Sequence, residues 1–323
     1  MEKYHQILIS FAIGLLIPMA VLNMGLRLIT HKTTVPTEDI SYTEPSESVQ
    51  NNKIPVLLVD GQMVQMDLND YLVGVILAEM PTSFELAALQ AQTVVARTYA
   101  LKRVQDLRHP GGAVCTDFGC CQAYITQESY LDGQGYAQDI TAARSAVEST
   151  EGIVLSYDDQ LIEATYFHSS GGKTEDAVAV WGVDYPYLQS VDSPGEEEME
   201  HYSQEVYFDR LMLESCLGTT LQGISESWLG WTTYTIGGGV DTMYFGGIKY
   251  TGIELRSLLK LNSTIFYMEP VDDGIRVMAF GKGHRVGMSQ MGAQAMALRG
   301  CSYQEILLHY YPGTRIDKLE DVG

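Results

Sequence analysis

Basic residues are scarce in this 323-residue chain. Twenty Lys and Arg stand against 41 Asp and Glu, a formal charge of −21 with the seven histidines neutral. The few cations are scattered, so the chain repels phosphate-rich partners and no nucleic acid is expected as a ligand. No fixed-period repeat is present, which excludes a solenoid or propeller. Apolar residues, by contrast, make up 46%, and 20 Tyr, 8 Phe and 3 Trp exclude a disordered chain. That content suits one large domain or two modest ones.

Residues 7–26 form an almost unbroken apolar run. A membrane span needs about 20 such residues at ~1.5 Å each. A cleaved signal peptide is the alternative, but the run exceeds the usual ~7–15-residue signal core and no small-x-small cleavage site follows. Residues 1–30 are therefore expected to be a cytoplasmic tip and a retained transmembrane helix. The Thr, Ser, Pro, Glu and Asn of residues 31–54 read as a flexible linker. A globular part then runs over 55–315, and a tail over 316–323. The expected fold is α+β: a helical segment, then β-rich stretches near 153–167, 231–250 and 264–280, and a last helix near 288–299. Residues 205–262 form a possible second lobe, with a cleft between lobes as the ligand site.

Leu68, Tyr71, Leu72, Val75, Ile76 and Met80 recur at spacings of three and four. They predict a helix from about Asp67 or Asn69 to Pro81. Glu79 lies on or beside this stripe. A carboxylate withdrawn from water tends to keep its proton, as a general acid must. The plainer reading is a helix-end carboxylate paired with an arginine. Thr82 and Glu85 have capping-box spacing for a second, Ala-rich helix that carries Arg97. Arg97 is either a surface cation or a fixed partner for Glu79 or for substrate hydroxyls.

Five cysteines are present, and three of them follow His109 closely: Cys115, Cys120 and Cys121. Three thiolates and an imidazole would close a tetrahedral zinc site, structural because no position is left open. A disulfide or free thiols are the alternatives. Residues 165–175 read as a strand breaking into a loop of Ser169, Ser170, Gly171 and Gly172, where a ligand could approach the backbone closely. In residues 280–293, glycines bracket His284, Ser289 and Gln290. That stretch lacks the Gly-Lys-Ser/Thr of a phosphate loop and the Gly-x-Ser-x-Gly of a serine-hydrolase elbow. His284 is either a core histidine or a substrate contact.

Five linked motifs, with Tyr310-Tyr311-Pro312-Gly313-Thr314 at the end, resemble the stage II sporulation protein D family of peptidoglycan lytic transglycosylases. They are Tyr71-Leu72-x-Gly74-Val75-x-x-x-Glu79-Met80-Pro81, Ala91-Gln92-x-x-x-Ala96-Arg97-Thr98-Tyr99-Ala100, Cys121-Gln122-x-Tyr124, Ser169-Ser170-Gly171-Gly172-x-Thr174-Glu175 and Gly283-His284-x-Val286-Gly287-Met288-Ser289-Gln290-x-Gly292-Ala293. The resemblance implies Glu79 as sole catalytic acid, then base. The bond cut joins MurNAc to GlcNAc in peptide-stripped glycan strands, leaving a 1,6-anhydro ring. Arg97, Tyr166, Ser169, Ser170, Gly171, His284, Ser289 and Gln290 would bind the glycan. Zinc would sit on His109, Cys115, Cys120 and Cys121. The resemblance also implies a mother-cell membrane anchor facing the intermembrane space, septal wall thinning and engulfment, and stage II sporulation proteins P (an amidase) and M as partners. Two positions depart from the family pattern: Cys120, where relatives carry His, and Arg285, where they usually carry Gly. The alternatives are a non-catalytic glycan-binding module that enhances an amidase, as some relatives do, and a zinc hydrolase.

Overall fold

The computed structural model describes residues 52–199 and 202–322. The expected anchor and almost all of the expected linker lie outside them. No helix among the described residues is long and apolar enough to cross a membrane.

The chain opens with a hairpin, β1 (Lys53–Leu57) and β2 (Met63–Asp67), and then α1 (Leu68–Glu79). Asp67 caps α1 by accepting from the amides of Asn69 and Asp70 at 2.9 and 3.2 Å. The helix stops just before Pro81, as its periodicity predicts. α2 (Leu86–Gln105) follows, but the expected Thr82 cap does not form. The Thr82 hydroxyl instead bonds Asp139 at 2.7 Å. Next come β3 (Val114–Cys115), α3 (Gln127–Asp132), α4 (Ala137–Ser149), β4 (Ile153–Tyr157), β5 (Gln160–Leu161), β6 (Tyr166–Phe167) and α5 (Ala177–Trp181).

The remaining elements are β7 (Ser203–Asp209), α6 (Arg210–Leu217), β8 (Leu229–Tyr234), β9 (Val240–Phe245), β10 (Ile248–Thr251), α7 (Gly252–Leu258), β11 (Ile265–Val271), β12 (Gly274–Phe280), β13 (Met288–Ser289), α8 (Gln290–Leu298), α9 (Tyr303–Tyr310) and β14 (Arg315–Lys318). The strands make small sheets in the orders β2-β1-β3, β10-β9-β8, β11-β12-β7, β13-β6 and β14-β4-β5. The mixed helix-and-strand composition agrees with the expected class. The residues expected to trail as a tail instead supply β14, where Ile316 pairs with Leu155 and Asp317 with Val154.

Two apolar cores result. The larger surrounds α2, whose Ala88, Ala91, Ala96 and Ala100 are fully buried and let α1, α4, α8 and α9 pack closely around it. The smaller gathers Phe208, Leu213, Trp228, Phe245, Leu255, Ile275 and Val277. It therefore takes in the β11–β12 hairpin along with the segment expected as a second lobe.

Candidate active site

Glu79 ends α1 half-buried. Its Oε1 accepts from the Ala123 amide at 2.9 Å and from the Tyr166 hydroxyl at 3.1 Å, and its Oε2 faces Gln290 Nε2 at 3.4 Å. No arginine pairs with it among the described residues. Burial raises its pKa above the ordinary carboxylate range, and the three donors pull it part of the way back. The Tyr166 hydroxyl also reaches Gln122 Oε1 at 3.2 Å. Gln122 Nε2 in turn donates to Tyr71 at 3.2 Å.

Gly74 explains how the 121–125 segment comes so close to α1. A Cβ there would meet the Tyr124 ring at 2.3 Å, and the Gly74 carbonyl accepts from the Ile125 amide. Tyr124 stacks on Tyr71 with ring centroids 5.6 Å apart. Glycine at position 74 thus lays Ala123 against Glu79.

Glu79, Tyr166, Gln290 and His284 line one cleft of about 1010 Å³. Trp181 and Phe118, 40% and 85% exposed, offer apolar rings to it. Burial and the charge of Arg256 push the His284 imidazole down to about 4, so it is neutral at pH 7. Its Nδ1 accepts from the Val286 amide at 3.1 Å, and the main chain of Tyr166 also bonds the ring. The ring packs against Phe167 and Trp181. Its bonds run to main chain, as the plainer reading has it.

Several expected contacts lie elsewhere. Arg97 is buried under the end of α4, where its guanidinium donates to the carbonyls of Val147, Thr150 and Ile153. It closes the helix C-terminus and does not touch Glu79. Ser170 is fully buried, with its hydroxyl and amide both held by Glu196. Ser289 is the buried cap of α8, accepting from the Gly292 amide. Gly171 (φ 77°) packs against the Phe280 carbonyl. Ser169 is buried, and its Oγ has no hydrogen-bond partner among the described residues. None of these five lines the cleft. Glu196 and Arg285 anchor the Ser-Gly loop from within.

Arg285 is fully buried and left-handed, at φ 69°. It donates to the carbonyls of Ser170, Lys173 and Gly237 and to the Thr264 hydroxyl, and it lies 3.6 Å from Glu175. The chain's departure at this position is a clasp between the Ser-Gly loop and the β8–β9 turn, rather than a surface contact.

His109, Cys115, Cys120 and Cys121 present ligand atoms all within 4.8 Å of one another. All five cysteines are thiols. His109 Nε2 lies 3.5 Å from the Cys120 sulfur and 3.4 Å from that of Cys121. Tetrahedral zinc with ordinary bond lengths would set such atoms roughly 3.5 Å apart, so the donor set fits that ion. Burial raises the thiols of Cys115 and Cys121, which a bound cation would reverse. Cys120 and Cys121 also line the cleft.

Sequence reasoning did not identify Ala123, whose contribution is a main-chain amide, nor Gln122, Trp181 or Phe118. Gln122 belongs to a motif already noted, and tryptophan is rare enough in the chain to have drawn notice.

A family model described as "Stage II sporulation protein" matches residues 61–157, the stretch that carries Glu79 and the His/Cys cluster. Stage II sporulation protein D of Bacillus subtilis is 34% identical over 303 residues, covering 92% of this chain and 88% of its own length. The protein of the same name from Bacillus amyloliquefaciens is 33% identical over 297 residues, covering 90% and 86%. A Bacillus subtilis protein named amidase enhancer is 31% identical over 298 residues, covering 75% of this chain and 40% of its own. With identity above three in ten across nearly the whole of both chains, this protein belongs to the stage II sporulation protein D family.

Proposed function

We propose that this protein is a lytic transglycosylase of peptidoglycan that uses Glu79 as acid and then as base. One observation carries the reading: of the two carboxylates lining the cleft, Glu163 is ion-paired with Arg103, whereas Glu79 has only neutral donors around it. Glycoside hydrolysis in its usual form needs two working carboxylates flanking the bond. A sugar that attacks itself needs one. Oε1 is already occupied by two donors, so the proton sits on Oε2. Glu79 gives it to the glycosidic oxygen as the C1–O bond breaks. The carboxylate then takes the proton of the C6 hydroxyl as O6 bonds C1 and closes a 1,6-anhydro ring. Proximity of O6 replaces the second catalyst, an effect worth about 7–11 kcal/mol when well aligned.

Ala123, Tyr166 and Gln290 orient the carboxylate, and Trp181 and Phe118 supply faces for sugar rings. His109, Cys115, Cys120 and Cys121 would hold a structural zinc, which would tie down the loop that carries Ala123; four protein ligands would leave no position for a catalytic water. That closed ligand set argues against a zinc hydrolase. In this reading the apolar run at residues 7–26 anchors the enzyme outside the cytoplasm, facing the intermembrane space in sporulation, where it thins the septal wall alongside an amidase partner. The test is mass analysis of products from peptide-free glycan strands. Anhydro-sugar ends are expected from the wild type and not from Glu79→Gln. Equal release from both would sink the reading.

The likeness to a protein named amidase enhancer favours a second reading, a glycan-binding module that stimulates an amidase. Under it, Glu79→Gln would stimulate the amidase fully while neither protein released anhydro-sugars.

A further inference from the structure

The cleft walls carry four cations in a chain of net charge −21: Arg103, Arg108, Arg256 and Lys282. Arg103 is paired with Glu163. Arg108 and Lys282 are exposed, where an unpaired charge costs little. Arg256 is different. It stands on α7, partly buried, and its guanidinium makes no hydrogen bond or ion pair among the described residues. Its charge acts on another cation, Arg285, and on the neutral His284. Withdrawal from water lowers its pKa, so the lone charge is held at a cost. Next along the same wall, Asn262 uses its main chain to bond Gly283 and Gln204 and leaves its side-chain amide without a partner among the described residues. A partly buried guanidinium that shares a cleft with a free amide and an ammonium, and has no acid to satisfy it, is a receptor for an anion.

We propose that Arg256, with Asn262 and Lys282 of the same cleft, binds a carboxylate carried by the glycan: the lactyl carboxylate that a muramyl residue exposes once its peptide stem has been removed. This rests on the glycan-cleaving reading above and assigns a specificity-determining residue to it. Removing the stem replaces a neutral amide by a carboxylate, so a cation on the cleft wall would distinguish stripped strands from substituted ones.

The experiment measures binding in the full chain carrying Glu79→Gln, which separates recognition from cleavage. Peptide-free strand fragments are compared with the same fragments whose carboxylates have been coupled to methylamine. The free-acid strands should bind about tenfold or more tightly, as a charge-assisted pair in a partly dry site allows. Adding Arg256→Gln should abolish that preference, and Arg256→Lys should keep part of it. Equal binding of free and capped strands by Glu79→Gln alone overturns the proposal. So does a preference that survives Arg256→Gln in a variant of unchanged melting temperature. Should Arg256→Gln fail to fold, the comparison of free and capped strands, with Arg256→Lys, still decides. Failure of wild type to release anhydro-sugar would remove the lytic reading and leave this binding test standing.

Discussion

The Ala123 amide donates to Glu79 Oε1 at 2.9 Å, and Ala123 lies only two residues beyond Cys121 of the His/Cys cluster. The main-chain donor to Glu79 and the candidate metal site thus share one short loop. Whatever fixes the cysteines fixes the donor that helps set the acidity of Glu79.

Glu79→Gln should cut activity by about 10²–10⁴-fold, the usual worth of a general acid. Stability should not fall with it at neutral pH. The folded state raises the pKa of Glu79, so its protonated form is favoured on folding. The wild type therefore gains stability relative to Glu79→Gln as pH drops through the raised pKa towards the ordinary carboxylate value, and loses that gain as pH rises again. Melting temperatures of the two proteins across that window check the sign.

Tyr166→Phe removes a donor that favours the ionised carboxylate. The pKa of Glu79 should rise further. The alkaline limb of kcat/KM, where Glu79 loses its proton, should move to higher pH, with a smaller loss of rate than Glu79→Gln causes. A limb that stays in place would separate Glu79 from the proton transfer.

Elemental analysis of the purified protein should find one zinc per chain. Cys121→Ser or a strong chelator should remove it and lower the melting temperature by about 5 °C or more, since loss of a structural metal costs several kcal/mol. Activity should fall in parallel because the Ala123 loop is released. Full activity in metal-free protein would show the cluster to be unrelated to the position of Glu79.

Arg97→Met should remove a charged donor from the carbonyls of Val147, Thr150 and Ile153 and cost about 3 kcal/mol, seen as a lower denaturant midpoint. The folded fraction should keep its specific activity. A loss of rate without a loss of stability would return Arg97 to the substrate.

The helix carrying Glu79 was legible because its apolar stripe repeats at helical spacing and Pro81 ends it. The depth of Glu79 was legible for the same reason. What escaped was set by long-range pairing. Thr82 has a capping neighbour in sequence, yet Asp139, 57 residues away, takes its hydroxyl. Arg97, Ser170 and Ser289 are residue types that serve ligands and helix ends equally well, and only their partners decide which. Residues 316–318 look like a polar end until β4 offers them an edge.

Arg285 ties together carbonyls from residues 170, 173 and 237 and a hydroxyl from residue 264. Its neighbours cannot drift independently. A Cβ at Gly239 would strike its guanidinium at 2.8 Å, and one at Gly237 would strike Glu175 at 2.7 Å. In directed evolution these positions should behave as one epistatic block, in which a change at 237, 239 or 264 survives only beside a compensating change at 285.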